Sequence, residues 1–196
     1  MSEFEFFFSF FGLLLGLSVA EVATKLADAV GLRHRAKIGA LTALLAVFLL
    51  FDIASFWMWT WGNRAVIDVT WPHVFGGLVV AVIYFLAAAL VFPRHAEEWQ
   101  SLDDHFWTNK RLVIGGIIAA NALIMGATFS WHPPALTDYD FFAFQISYWV
   151  PLIALFFVRS RRWNIGLLGF LIAYYVVVGL RLIPPPAGGW SATMGL

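Results

Sequence analysis

Residues 38–59 read IGALTALLAVFLLFDIASFWMW, and this stretch decides the fold. At about 1.5 Å per residue it is long enough to cross the roughly 30 Å hydrocarbon core of a bilayer as a helix. It holds one acid, Asp52, and no basic side chain, and it closes on Trp57 and Trp59. Indole rings favour the headgroup level, so these tryptophans mark where the helix leaves the lipid.

Five other stretches repeat the pattern. The expected spans are residues 6–27, 38–59, 72–92, 112–131, 140–158 and 163–183, in a single membrane domain covering 1–196. Pro72 suits a first helical turn, while Pro133, Pro134 and the run Pro184-Pro185-Pro186 stop the fourth and sixth spans. The composition agrees. Hydrophobic residues make up 61% of the chain and charged residues 12%, where a soluble domain carries roughly 25% charge. The expected fold class is an all-α integral membrane protein, six transmembrane helices in one bundle.

Basic residues set the orientation. Lys25, Arg33, Arg35, Lys37, Arg94, Lys110, Arg111, Arg159, Arg161 and Arg162 fall on one side of the six spans, and only Arg64 and Arg181 on the other. Short loops rich in Lys and Arg stay cytoplasmic, which places both termini on the non-cytoplasmic side of the inner (plasma) membrane. Trp61, Trp71 and Trp131 would then mark the outer interface, and Trp99, Trp107 and Trp163 the inner one. The acidic flank Met1-Ser2-Glu3-Phe4-Glu5 lacks the basic region of a secretory signal, so the first span is expected to be retained. Between the third and fourth spans, Trp99, Leu102, Phe106 and Trp107 recur at helical spacing in a polar segment. This predicts a short amphipathic helix over about 95–109 lying on the cytoplasmic surface.

A weak internal echo is present. Glu3-Phe4-Glu5-Phe6-Phe7 before the first span resembles Asp138-Tyr139-Asp140-Phe141-Phe142 before the fifth, and each is followed by a span, a basic turn and another span. Acidic and aromatic residues are common at membrane boundaries, so the echo does not by itself establish parallel repeats.

Asp52 is the most informative side chain for function. A carboxylate at bilayer depth costs about 2.5–3.5 kcal/mol on insertion scales, so it faces the bundle interior or water and has a partner. It reads either as a proton- or cation-binding group or as a hydrogen-bonded tie between helices. Asn121, Gln145 and Tyr84 are the candidate partners, and Ser147 and the pair Tyr174-Tyr175 are further interior groups. Glu21 stands four residues before Lys25 on the first span, the favourable order for a helical ion pair, and Asp28 extends that face. Gly12, Gly16 and Ala20 recur every four residues, a spacing that lets two helices approach closely in lipid. Pro151 is a candidate kink in the fifth span.

His73 and His132 stand at the outer ends of different spans, where a metal or haem would need ligands. No pair of histidines occupies i and i+4, and none lies deep in a span, so interfacial hydrogen bonding is the simpler reading. His105 is expected to cap or solvate the surface helix. No cofactor is strongly implied.

Several classes are excluded or weakened. Without cysteine there is no thiolate, disulfide or iron–sulfur chemistry, and no lipidation on Cys. Zero net charge gives no hint of a nucleic-acid partner. No Walker loop, G-x-S-x-G elbow or H-E-x-x-H occurs, and no catalytic residue is assigned. The sixth span has no lysine for retinal, no span carries an arginine ladder, and the potassium filter sequence is missing. What remains is an oligomeric ion channel or proton-coupled transporter built on Asp52. A non-catalytic accessory or assembly subunit of a larger membrane complex is the alternative, and a lipid- or quinone-linked membrane enzyme comes third. The expected partners are the lipid bilayer and either further copies of the chain or other membrane subunits.

Overall fold

Ser2 and Glu5 start the first helix as a capping box. The Ser2 hydroxyl accepts from the Glu5 N–H at 3.2 Å, and the Glu5 carboxylate accepts from the Ser2 N–H at 2.7 Å. The computed structural model, which describes residues 2–31, 38–95 and 98–182, contains six α-helices. They are α1 (Glu3–Gly31), α2 (Ala40–Gly62), α3 (Trp71–Val91), α4 (Leu102–Trp131), α5 (Tyr139–Phe157) and α6 (Arg161–Gly179). All six are long and apolar enough to cross a membrane. The chain is an all-α, multi-pass membrane protein. Arg33, Arg35 and Lys37 of the first basic turn, and Pro184 to Pro186 after α6, lie outside the described residues.

Local chemistry sets the other ends. Pro72 occupies the first turn of α3, where a missing N–H removes no helical bond. Ser101 caps α4 by accepting from the Asp103 N–H at 3.3 Å. The Asn63 amide closes α2 on the Trp59 carbonyl at 2.8 Å. Helix α5 runs unbroken through Pro151.

The fourth helix departs from expectation. Its 30 residues span about 45 Å, more than the hydrocarbon requires. Of the separate surface helix expected over 95–109, residues 102–109 are instead the first turns of α4 itself. Ala96 and Glu97 of that stretch lie outside the described residues. The apolar spacing that suggested a membrane-surface face has a different target. Leu102 and Phe106 are buried in the protein core. His105 is buried rather than solvated, and its Nε2 bonds the Leu90 carbonyl in the last turn of α3 at 3.0 Å. It caps the neighbouring helix instead of its own.

Packing places α2 nearest the middle. It touches α1, α3, α4 and α6, while α3 lies between α1 and α4, and α5 joins α4 to α6. Half of the apolar window of α2 is buried inside the protein, against 17% for α6. The close approach of α1 to α3 occurs at Gly77, where a Cβ would meet the buried Phe11 ring at 2.2 Å. Gly12 lies against the Trp57 ring, with a Cβ contact of 3.1 Å, so it packs within the chain. Gly16 has nothing within 4 Å, and Ala20 is exposed.

The basic end of the bundle is held by a polar clamp. Asp103 accepts from the backbone N–H groups of Leu41 (3.0 Å) and Thr42 (3.2 Å), capping α2 from another helix. Gly39 is required there, since a Cβ would sit 1.9 Å from the Asp103 Oδ1. The Lys110 ammonium donates to the Val158 carbonyl at the end of α5 and to Asn164 Oδ1 of α6 at 2.8 Å. Asn164 is fully buried and returns bonds to the Val158 and Ser160 carbonyls. Helix ends thus exchange their unsatisfied groups with side chains from neighbouring helices.

Candidate functional site

Asp52 lies near the middle of the 23-residue α2 and is fully buried. Helix α2 runs on to Gly62, so the carboxylate is closer to the helix centre than the predicted span implied. Four other helices each send it a donor. Tyr84 of α3 reaches Oδ2 at 2.9 Å, and Asn121 of α4 reaches Oδ2 and Oδ1 at 3.1 and 3.3 Å. Tyr148 of α5 and Tyr175 of α6 both donate to Oδ1, at 2.6 and 2.5 Å. Only α1 contributes nothing. Among the described residues no Lys, Arg or His bonds to this carboxylate.

Aromatic packing aims the hydroxyls. Phe51 stacks on Tyr175 with centroids 6.1 Å apart and planes 6° from parallel. Phe56 packs on Tyr84 at 5.9 Å, and Tyr148 sits 5.8 Å from Tyr174 and 5.9 Å from Tyr175. The Tyr148 and Tyr175 hydroxyls are 3.2 Å from each other. Ser55 donates to the Asp52 backbone carbonyl at 2.7 Å and lies 3.4 Å from the Tyr175 hydroxyl.

This cage has a chemical consequence. Hydrogen bonds to an ionised acceptor are among the strong ones, and they offset the desolvation of a carboxylate that has no counter-ion. A Lys or Arg cage could only donate. A tyrosine hydroxyl carries one donor and free lone pairs, so it can rotate to accept from a protonated Asp52. The surroundings can therefore satisfy the carboxyl group in both protonation states.

A cavity of about 320 Å³ adjoins the cage. It is built from the halves of α2, α4, α5 and α6 remote from the basic turns. Ser55, Asn121, Gln145, Tyr148 and Tyr175 bring polar atoms to its wall, and Phe51, Trp59, Phe144, Trp149 and Tyr174 supply aromatic surface. Trp59 is held by its Nε1 donating to Thr128 at 3.0 Å and by stacking on Trp131 at 5.7 Å. Towards the basic end, Leu45, Leu49, Ile117, Leu152, Leu168 and Leu171 are all within 1% of full burial. They form a dry apolar plug between Asp52 and the clamp at Asp103 and Lys110.

The structure joins some of the sequence candidates and separates others. Asn121 and Tyr84 meet Asp52 directly. Gln145 lines the cavity without bonding the carboxylate. Glu21 and Lys25 are half-buried on α1, away from the cage, and no ion pair joins them. His73 Nδ1 engages the Asp68 carbonyl at 2.8 Å and the Thr70 hydroxyl at 3.1 Å, with its ring edge-on to Trp131. His132 terminates α4, its backbone N–H bonded to Thr128. No cluster of three or more metal-ligating side chains occurs among the described residues. Tyr148 was missed altogether, and Tyr175 was read only as an interior group and not as a partner of Asp52. The available signal was that a tyrosine well inside a span must find a partner for its hydroxyl.

Fold and site together define a multi-pass helical membrane protein with a buried, hydroxyl-caged carboxylate beside an aromatic cavity. No family model matches the chain, and no curated protein or solved structure matches it.

Proposed function

We propose that the chain is a proton-coupled membrane carrier in which Asp52 binds and releases the coupling proton. The observation that carries this reading is the cage itself. A carboxylate at mid-bilayer depth has no basic partner among the described residues and is held by hydroxyls that can reverse direction. The adjoining cavity supports an approach to the site from one side. The plug beneath Asp52 favours a carrier over an open channel, since a conducting pore would need a continuous polar path.

In this account Asp52 exchanges protons with the cavity through the Tyr148 and Tyr175 hydroxyls. Protonation removes the charge that binds donors from α3, α4, α5 and α6, and so loosens the contact of four helices with α2. In this reading the end of the bundle that carries the basic turns faces the cytoplasm, with the cavity and both termini on the other side of the plasma membrane. The site is completed by one chain, so an oligomer would add neighbours without adding ligands.

Proton flux into liposomes, followed with an entrapped pH dye, tests the proposal. Wild-type protein is expected to carry flux that Asp52→Asn and Asp52→Leu abolish while the purified proteins keep their size. Absence of flux from all three would sink the carrier and favour an accessory subunit, to be sought through proteins that copurify.

A further inference from the structure

We infer that the cavity beside Asp52 takes a monovalent organic cation with an aromatic or aliphatic body, in exchange for the proton. This rests on the reading of Asp52 as the coupling site and names what that site transports.

Charge and shape both point this way. A volume of about 320 Å³ is far larger than a bare ion or a proton needs and lies at the small end for drug-sized ligands. Among the described residues no Lys, Arg or His lines it, and the Asp52 carboxylate lies directly behind its wall, held by the lining side chains of Asn121, Tyr148 and Tyr175. The field inside a low-dielectric bundle therefore favours a positive guest. The walls match. Trp59 stacks on Phe56 and Trp131, and Phe51 on Tyr175, so the aromatic surface left to attract a cation is that of Trp149, Tyr174 and Phe144, and the thioethers of Met58 and Met125 complete an adaptable apolar lining. Tyr148 and Tyr175 give their protons to Asp52, so their oxygens keep partial negative charge free to face a cation. An anion would meet like charge here. A neutral apolar guest would gain from the walls but nothing from the carboxylate. Proton and cation compete for a single negative charge, which is the requirement for exchange rather than cotransport.

Equilibrium binding of radiolabelled benzyltrimethylammonium to the full-length protein in detergent tests this. Saturable binding is expected, displaced by the unlabelled cation and not by neopentylbenzene, its uncharged isostere. Asp52→Asn should weaken binding about tenfold or more. Ala54→Trp should do the same by filling the cavity, since Ala54 lines it without bonding the cage. Arg161→Ala, at the opposite end, should leave binding unchanged. If Asp52→Asn loses its folded elution profile, Ala54→Trp decides the case. The inference is overturned if the wild type shows no saturable binding, or if neopentylbenzene competes as well as the cation. Failure of the carrier reading looks different: Asp52-dependent binding with no proton flux sinks the carrier and keeps the cation site. Asp52-dependent flux without cation binding does the reverse.

Discussion

Asp103 and Asp52 are both buried, at 9% and 0% exposure, and each gathers donors from helices other than its own. Asp103 sits near the basic end. It takes two backbone N–H groups at the start of α2, where a helix dipole welcomes an anion, and it has Arg161 as a counter-ion at 3.4 Å. Asp52 sits at mid-helix, with three phenols and one amide around it and no counter-ion among the described residues. Asp103 finishes a helix that would otherwise start with unsatisfied donors. Nothing in the backbone of α2 needs Asp52. A leucine there would continue the helix equally well, so the carboxylate and its four donors are an added feature set at the costliest depth. Burial alone does not distinguish the two acids; the kind of partner does.

The contrast can be broken most forcibly at Asp52 itself. Asp52→Leu removes the shared acceptor of three hydroxyls and an amide, at about 1–3 kcal/mol for each that stays buried and unpaired, as the Tyr84 hydroxyl does. Its thermal unfolding in detergent should fall well below that of the wild type, while Asp52→Asn, which keeps an acceptor, should fall much less. Equal losses would show that charge, not hydrogen bonding, holds the cage. At the other acid, Gly39→Ala pushes a Cβ into the Asp103 carboxylate and removes the cap of α2. That should cost about 1–2 kcal/mol, read as a lower unfolding temperature with transport per folded molecule unchanged.

Two tyrosines sharpen the distinction within the cage. Tyr84→Phe and Tyr148→Phe each remove one donor to Asp52, and both should lower stability by about 1–2 kcal/mol. Tyr148 lines the cavity and Tyr84 does not, so only Tyr148→Phe is expected to slow proton exchange in the flux assay. Identical transport by the two variants would argue against entry from the cavity. The smallest effect belongs to Arg161→Ala. Its side chain is 59% exposed and its contact with Asp103 is 3.4 Å, so unfolding should shift by less than about 1 kcal/mol.

The six helices were legible because lipid imposes length and apolarity on any span, and both are visible in a single sequence. Tertiary partners were legible only where a residue type betrayed itself. Asn121 and Tyr84 stood out as rare polar groups in apolar runs. Tyr148 was hidden because tyrosine is equally at home at the membrane interface, and the choice between the two depends on which face of α5 meets α2. The start of α4 was misread for a related reason. Trp99, Leu102, Phe106 and Trp107 recur at a spacing that suits a lipid surface or a neighbouring helix, and spacing alone does not choose between them. The Gly12-Gly16-Ala20 stripe shows the same limit, since Gly12 meets Trp57 while a Cβ at Gly16 would meet no other helix within 4 Å.

The central claim is that Asp52 works and Asp103 holds. It is tested most directly by proton flux in liposomes reconstituted with equal amounts of folded wild type, Asp52→Asn and Asp103→Asn. The account predicts that Asp52→Asn loses the flux and that Asp103→Asn retains it, with the stability loss confined to unfolding measurements. Flux that survives in Asp52→Asn, or that disappears equally in both variants, would contradict it.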